Sequence, residues 1–288
     1  MITGTTKLLG IIGHPVEHSL SPLMQNAALA KLELDYTYLP FPIQPQNLAK
    51  ALDGFAAIGV MGFNATIPHK QAIIPLLCEV EPIAQAVGAV NTVVRQDDRW
   101  IGTNTDVEGF IAPLRSHDKN WSQINAVVLG NGGAARAVVA GCSQLGCASV
   151  HAVGRSLQNL KEFRDSWQDS PIQVNLQIHQ WDSLPEIIKE ANLLINTTPM
   201  GMYPKIEDSP LDVGLFTHLP KDAIVYDLIY TPSPTKFLQY AQQADKTAID
   251  GLEMLVQQGA AALKIWLQRE SVPVDVMRQT LQQQLYKK

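Results

Sequence analysis

The sequence predicts an α/β protein built as two domains, and three observations carry the prediction. Short strand-like runs alternate with helix-like stretches along the first hundred residues, the pattern of a mostly parallel sheet with crossover connections. A second alternation begins near Trp121, with an apolar run that ends in clustered glycines. The length of 288 residues is enough for two hydrophobic cores.

In the first stretch, residues 8–12 read as a buried strand. Ser21-Pro22 then opens a helix, with Ser21 as N-cap and Pro22 at the first helical position. Residues 35–39, 59–63 and 92–95 are further strands, separated by helical segments over 48–52, 71–77 and 83–87. In the second stretch, 126–129 is a strand of Ala, Val and Leu, 134–145 a helix of small residues and 148–153 the next strand. Strands follow at 193–196 and 224–227. From Phe237 onward the chain reads as helix, rich in Ala, Leu and Gln.

Composition narrows the function. A net charge of -5 with scattered basic residues gives no electrostatic reason to expect nucleic acid or an anionic membrane as partner. Cys78, Cys142 and Cys147 form no CxxC pair, and their odd number argues for a reducing compartment without a disulfide framework. The N-terminus lacks the features of a signal peptide and no apolar run approaches a membrane span, so a cytoplasmic protein is expected. His14, His18, His69, His117, His151, His179 and His218 show no i, i+4 pairing with acids on a helix, so no metal centre is expected.

Two features point to chemistry. The turn Gly130-Asn131-Gly132-Gly133-Ala134-Ala135 fits G-x-G-x-x-A between a strand and a helix. Glycines there let the backbone approach a pyrophosphate, and the helix N-terminus offers free N–H groups and the positive end of its dipole. At the end of the following strand, Val153-Gly154-Arg155-Ser156 has no acid to accept from ribose hydroxyls. A guanidinium and a hydroxyl suit a 2′-phosphate instead, so NADP is the expected cofactor over NAD. The second feature is a set of polar segments where strands of the first domain should end: His18 to Pro22, Asn64 to Lys70, Gly88 to Thr92 and Gly102 to Asp106. Singly, each has an ordinary explanation as cap, turn or exposed charge. Together they concentrate hydrogen-bonding side chains with few charges, which suits a polyhydroxylated ligand.

The motifs S-L-S-P, N-A-T-I-P-H-K, G-A-V-N-T, G-T-N-T-D, G-N-G-G-A-A-R-A, N-T-T-P-M-G-M, D-L-I-Y-T-P-S-P-T and D-G-L-E-M-L-V-Q-Q-G-A occur in this order from residue 10 to about residue 261. In this the chain closely resembles the shikimate dehydrogenase family. The resemblance implies an N-terminal substrate-binding domain with a mostly parallel sheet, a Rossmann-like NADP-binding domain, and a cleft between them. It places the first domain at residues 1–107 plus 237–288, the C-terminal helices returning to it, and the second at 108–236. The implied reaction is the reversible reduction of 3-dehydroshikimate to shikimate, with Lys70 and Asp106 as the catalytic pair. Ser19 and Ser21 match positions that bind the substrate carboxylate, and Asn64, Thr66, Asn91, Tyr230 and Gln258 positions that hydrogen-bond the substrate. Gly130, Asn131, Gly132, Gly133, Ala134, Arg155, Ser156, Asn196, Thr197, Thr198, Met200 and Leu228 match the cofactor site, with Gly251 and Met254 against its nicotinamide end. Two departures stand out: Val107 where the family has glycine after the aspartate, with a shift of that loop as the expected consequence, and Asn131 where alanine is common.

Three alternatives stay open at this point. A quinate/shikimate dehydrogenase would use broader substrates or NAD, and Arg155 with Ser156 speaks against it. A non-catalytic metabolite sensor on the same fold should have lost Lys70 or Asp106. Another two-domain dehydrogenase would share the cofactor domain but not the serines or the Thr66, Lys70 and Asp106 set. A monomer or homodimer is expected, and which member of the Lys70/Asp106 pair holds the transferred proton is left open.

Overall fold

A computed structural model describes residues 2–286. The chain divides into two compact units, one formed by residues up to Gly109 and from Leu255, the other by Phe110–Met254.

The first unit is built on a sheet of six strands: β1 (Lys7–Gly13), β2 (Tyr36–Pro42), β3 (Val60–Ala65), β4 (Glu79–Val80), β5 (Thr92–Gln96) and β6 (Arg99–Thr103), in the order β2-β1-β3-β5-β6-β4. β1 runs parallel to β2 and β3, and β4 parallel to β6. β5 is antiparallel to both its neighbours. It turns into β6 through Asp97 and Asp98, both at positive φ (48° and 59°), the two-residue turn whose twist matches that of the strands. With aspartates in place of the usual Asn-Gly, this hairpin and β6 were not legible beforehand.

One face of the sheet is covered by the helix Leu48–Ala57, whose Leu48, Leu52 and Phe55 recur at helical spacing and are buried. Phe55 packs edge-on to Phe63 with ring centroids 5.4 Å apart, and Phe63 edge-on to Trp100 at 5.3 Å. The helix Ser21–Lys31 begins one residue earlier than expected: Leu20 is its N-cap and Pro22 its second residue. The Ser21 hydroxyl makes no cap bond; the Ser19 Oγ instead accepts from the Ser21 N–H at 3.3 Å. The helix Leu252–Leu267, from Leu255 onward, and the helix Val274–Leu285 complete this unit, the latter packing on Ser21–Lys31. Trp266 lies across Gly62, and its indole N–H donates to the Val93 carbonyl at 2.9 Å, an approach that any side chain at residue 62 would block.

The second unit carries six parallel strands: β7 (Asn125–Leu129), β8 (Ser149–Gly154), β9 (Leu176–Gln180), β10 (Leu193–Asn196), β11 (Ile224–Asp227) and β12 (Thr247–Ile249). Their order, β12-β11-β10-β7-β8-β9, is the doubly wound order of a dinucleotide-binding sheet. The order reverses between β7 and β10. The segment after Phe237 is therefore not helical throughout, because β12 interrupts it and pairs with β11. Phe237, Leu238 and Ala241, on the helix Lys236–Gln243, are buried in this unit's core beside Leu194, Phe216 and Val225. Residues 237–254 thus stay with the second unit, and the return to the first comes at Leu255 rather than at 237.

One buried carboxylate organises the end of β11. Asp227, 0% exposed, accepts from the Thr235 hydroxyl at 2.6 Å, the Asn196 amide at 3.0 Å and the Ile229 N–H at 3.1 Å. Thr235 is also the N-cap of Lys236–Gln243, accepting from the Leu238 N–H. Burial, helped by nearby Asp250, outweighs the three donors and pushes the Asp227 pKa up to about 7. The folded state then binds a proton that the unfolded chain has released, so the contribution to stability is present at low pH and lost as pH rises to about 7.

Two outcomes are expected in urea unfolding. Between about pH 4 and about pH 7, Asp227→Asn gains stability relative to the unaltered chain, by up to about 4 kcal/mol, because it lacks this linkage; a pH-independent difference would contradict the assignment. Gly62→Ala loses about 1–3 kcal/mol by forcing the Trp266 indole aside.

Candidate functional site

At the carboxyl end of β3, Asn64 is joined by residues that start β5 and follow β6, because antiparallel β5 presents its beginning at that edge. Thr92 pairs with both Asn64 and Thr103. The segment from Gly88 to Thr92 therefore leads into a strand, not out of one as expected, yet arrives at the same place. The turns after β1 and β3 are also tied together, the His14 N–H donating to the Ile67 carbonyl at 3.0 Å.

Within this group the Lys70 Nζ lies 2.5 Å from the Asp106 Oδ2. Lys70 stands on the short helix His69–Ala72, anchored by the His69 ring, which is buried with its Nε2 2.7 Å from the Ile43 carbonyl oxygen. Asp106 opens the helix Asp106–Leu114, and its N–H donates to the Asn104 Oδ1 at 3.0 Å. The second Asp106 oxygen accepts from the Asn91 amide at 2.8 Å. Asn91 in turn accepts from the Thr105 N–H at 2.7 Å, and its amide is 3.5 Å from the Gln258 Oε1. Asn64 donates to the Asn91 carbonyl at 3.0 Å and accepts from the Tyr38 hydroxyl at 2.7 Å. Burial pushes the Tyr38 phenol well above its usual range, which keeps it a donor.

Of the expected substrate residues, Asn64, Asn91 and Gln258 thus form one network with Lys70 and Asp106. Thr66 is half-buried four residues before Lys70, and its carbonyl accepts from the His69 N–H at 2.7 Å. Ser19 and Ser21 sit at the start of Ser21–Lys31, where the Ser21 N–H is taken by the Ser19 Oγ and the Leu23 N–H donates to the Leu20 carbonyl at 3.1 Å. Tyr230 belongs to the second unit, in the loop held by Asp227. Val107 needs no loop shift, because it is 2% exposed inside the helix and at no positive φ. Sequence reasoning missed the supporting Tyr38, which looks like an ordinary strand residue, and gave Thr92, Asn104 and Thr105 no role of their own within the polar segments it singled out, because only the sheet brings them against Asn64, Asn91 and Asp106.

In the second unit the glycine-rich turn leads from β7 into the helix Gly133–Leu145. Gly130 has a φ of +108°, and a Cβ there would come within 2.7 Å of the Thr197 hydroxyl. Both the conformation and the close approach require glycine. Thr197 is fixed by donating to the Leu129 carbonyl at 2.7 Å, across the point where the strand order reverses. Asn196 accepts from the Thr198 N–H at 3.0 Å and hydroxyl at 2.7 Å while donating to Asp227. The Leu228 N–H donates to the Asn196 carbonyl, and the Gly251 N–H to the Ile229 carbonyl at 3.1 Å. A Cβ at Gly251 would collide with the Leu228 carbonyl. The ends of β7, β10, β11 and β12 thereby bring Gly130, Asn196, Thr197, Leu228 and Gly251 along one edge.

Arg155 follows β8, and Ser156 is the N-cap of the helix Leu157–Asp165, its oxygen accepting from the Asn159 N–H at 3.3 Å. That leaves the Ser156 O–H free to donate. A cavity of about 660 Å³ is bordered by Arg155, Thr198 and Met200. A positive-φ glycine cradle before an unpartnered helix start, with an arginine at the next strand end, fits a dinucleotide carrying a 2′-phosphate. Among the described residues no group of three or more His, Cys, Asp or Glu is placed to hold a metal ion, and no helix is long and apolar enough to cross a membrane.

The chain is similar to known proteins along nearly its whole length. Residues 11–93 match the shikimate dehydrogenase substrate binding domain, and residues 251–282 the shikimate 5′-dehydrogenase C-terminal domain. The chain is 66% identical to a shikimate dehydrogenase (NADP(+)) of Trichormus variabilis, over 99% of both chains. It is also 66% identical to one of Nostoc sp., over 98% of both. A crystal structure of a shikimate dehydrogenase in complex with NADP+ superposes with a TM-score of 0.89 at 36% identity, covering 100% of this chain and 98% of that one. The chain belongs to the shikimate dehydrogenase family.

Proposed function

We propose that this chain catalyses the reversible, NADP-dependent reduction of 3-dehydroshikimate to shikimate, working in the cytoplasm as a monomer or homodimer. The observation that carries the reading is the Lys70–Asp106 pair, 2.5 Å apart, set among uncharged hydrogen-bonding side chains. The Lys70 side chain keeps 19% of its surface open, against 9% for Asp106. Lys70 is thus the more accessible side chain of the pair. Cytoplasmic residence is consistent with three free thiols at Cys78, Cys142 and Cys147.

The nicotinamide of NADPH supplies the hydride. The residues of the chain do the rest. Ser19 and Ser21 bring two hydroxyls, at the positive end of the dipole of Ser21–Lys31, suited to the substrate carboxylate. Asn64, Thr66, Asn91, Tyr230 and Gln258 orient the ring through its hydroxyls and carboxylate, and such positioning supplies a large share of a rate enhancement. As the ketone oxygen gains negative charge, Lys70 stabilises it and donates a proton from Nζ; in the oxidation direction Nζ receives that proton. Asp106 holds the ammonium through one oxygen, while Asn91 fixes the other. In the cofactor site Gly130 makes the tight turn, its own N–H held by the Val153 carbonyl at 2.8 Å, while Asn131, Gly132, Gly133 and Ala134 offer backbone N–H groups to the pyrophosphate, and Arg155 and Ser156 take the 2′-phosphate. Asn196, Thr197, Thr198, Met200 and Leu228 line the way to the nicotinamide, with Gly251 and Met254 at its end.

Absorbance at the nicotinamide band, recorded with shikimate and NADP, tests the reading directly. Rapid NADP reduction, weak NAD reduction and little response to quinate are expected; comparable rates with quinate or NAD would assign the chain to the broader quinate/shikimate group. Lys70→Ala is expected to lower kcat by about 10²–10⁴-fold, the usual contribution of a positioned acid, while KM changes by less than about tenfold. Near-normal turnover in that variant would remove Lys70 from the chemistry.

A further inference from the structure

The 660 Å³ cavity of the second unit has walls beyond Arg155 and the Thr198 turn. Trp181, just after β9, and Tyr203, in the loop after β10, give it aromatic surface, and Lys205 brings a second cation to it. The Arg155 and Lys205 side chains have no hydrogen-bond or ion-pair partner among the described residues. This sets them apart from Arg95, Lys119, Arg164, Lys189 and Arg278, all of which are paired with carboxylates. Asp208 is the one acid lining the cavity, and it pairs with neither cation.

Two unpaired cations beside an aromatic slot call for a ligand with a flat ring and a multiply charged anionic group. A phosphate monoester carries about -1.5 to -2 charges at neutral pH and three acceptor oxygens. The planar guanidinium of Arg155 can engage two of those oxygens side by side, while an ammonium, a compact charge with three donors, suits the third. A single cation would leave a dianion half compensated. We propose that Lys205 is a specificity-determining residue: with Arg155 it holds the adenosine 2′-phosphate of NADP, the adenine lying in the slot walled by Trp181 and Tyr203. This rests on the reading of NADP as the coenzyme. It assigns the preference for NADP over NAD to two cations from different strand connections, one after β8 and one after β10.

Lys205 is exposed and its side chain has no partner among the described residues, so its replacement is expected to leave the fold intact. The test is calorimetric binding of adenosine 2′,5′-bisphosphate and of 5′-AMP, which needs neither substrate nor turnover. Lys205→Ala is expected to weaken the bisphosphate about tenfold, equivalent to about 1.4 kcal/mol, and 5′-AMP less than about twofold. Lys205→Arg should keep most of the bisphosphate affinity. Unchanged binding of the bisphosphate by Lys205→Ala, or an equal loss with both nucleotides, would overturn the proposal. If the unaltered protein showed no preference for the bisphosphate, the NADP reading itself would fall, whereas a normal preference with no shikimate oxidation would spare the proposal and count against the proposed reaction.

Discussion

The Asn91 side chain, 2% exposed, uses both ends of its amide: the nitrogen donates to Asp106 and the oxygen accepts from the Thr105 N–H. A buried amide left without partners costs about 1–3 kcal/mol, so these bonds are strong constraints on where the adjoining turns can lie. They join the turn that enters β5 to the turn that leaves β6, and so decide where the Asp106 carboxylate points. Lys70 is placed by that carboxylate, and the Asn64 amide by the Asn91 carbonyl. If β5 ran parallel to its neighbours, its start would lie at the opposite edge of the sheet and this set could not form.

The second unit rests on a different constraint, close backbone approach. Where the strand order reverses, the β7 turn meets the β10 turn with only the Gly130 hydrogen between its Cα and the Thr197 hydroxyl. The positive φ there leads into the helix Gly133–Leu145, whose first-turn N–H groups have no partner within the helix. Asp227 does for the β10 and β11 turns what Asn91 does in the first unit. It gathers Asn196, Ile229 and Thr235, and thereby shapes the loop that carries Leu228 and Tyr230.

Much of this was legible beforehand where the signal was local. The strands at 126–129, 193–196 and 224–227 lie within β7, β10 and β11, because short apolar runs bounded by turn residues carry their own signature. The glycine-rich turn was legible because few residues other than glycine tolerate positive φ. β12 was not: Thr247–Ile249 is three residues long and half-exposed, and its identity comes from pairing with β11. For that reason the C-terminal boundary of the second unit was misplaced. The cap of Ser21–Lys31 was misassigned because Ser19 and Ser21 carry the same side chain, and only the backbone shows which one accepts from the first turn.

The sequence by itself determined the residue types at each strand end and their order: the serines, the Lys70 segment, the Asn91 turn, Asp106, the glycine cradle and Arg155. Those patterns are local, governed by turn chemistry and by the period of apolar residues, and they sufficed to recognise the family. Only the tertiary structure decided which of them meet. Asn91 and Gln258 are 167 residues apart in the chain and Asn64 and Asn91 are 27 apart, and nothing local says that they share a network. Strand order and direction bring them together, and these follow from the packing of whole helices and sheets rather than from any short stretch of chain.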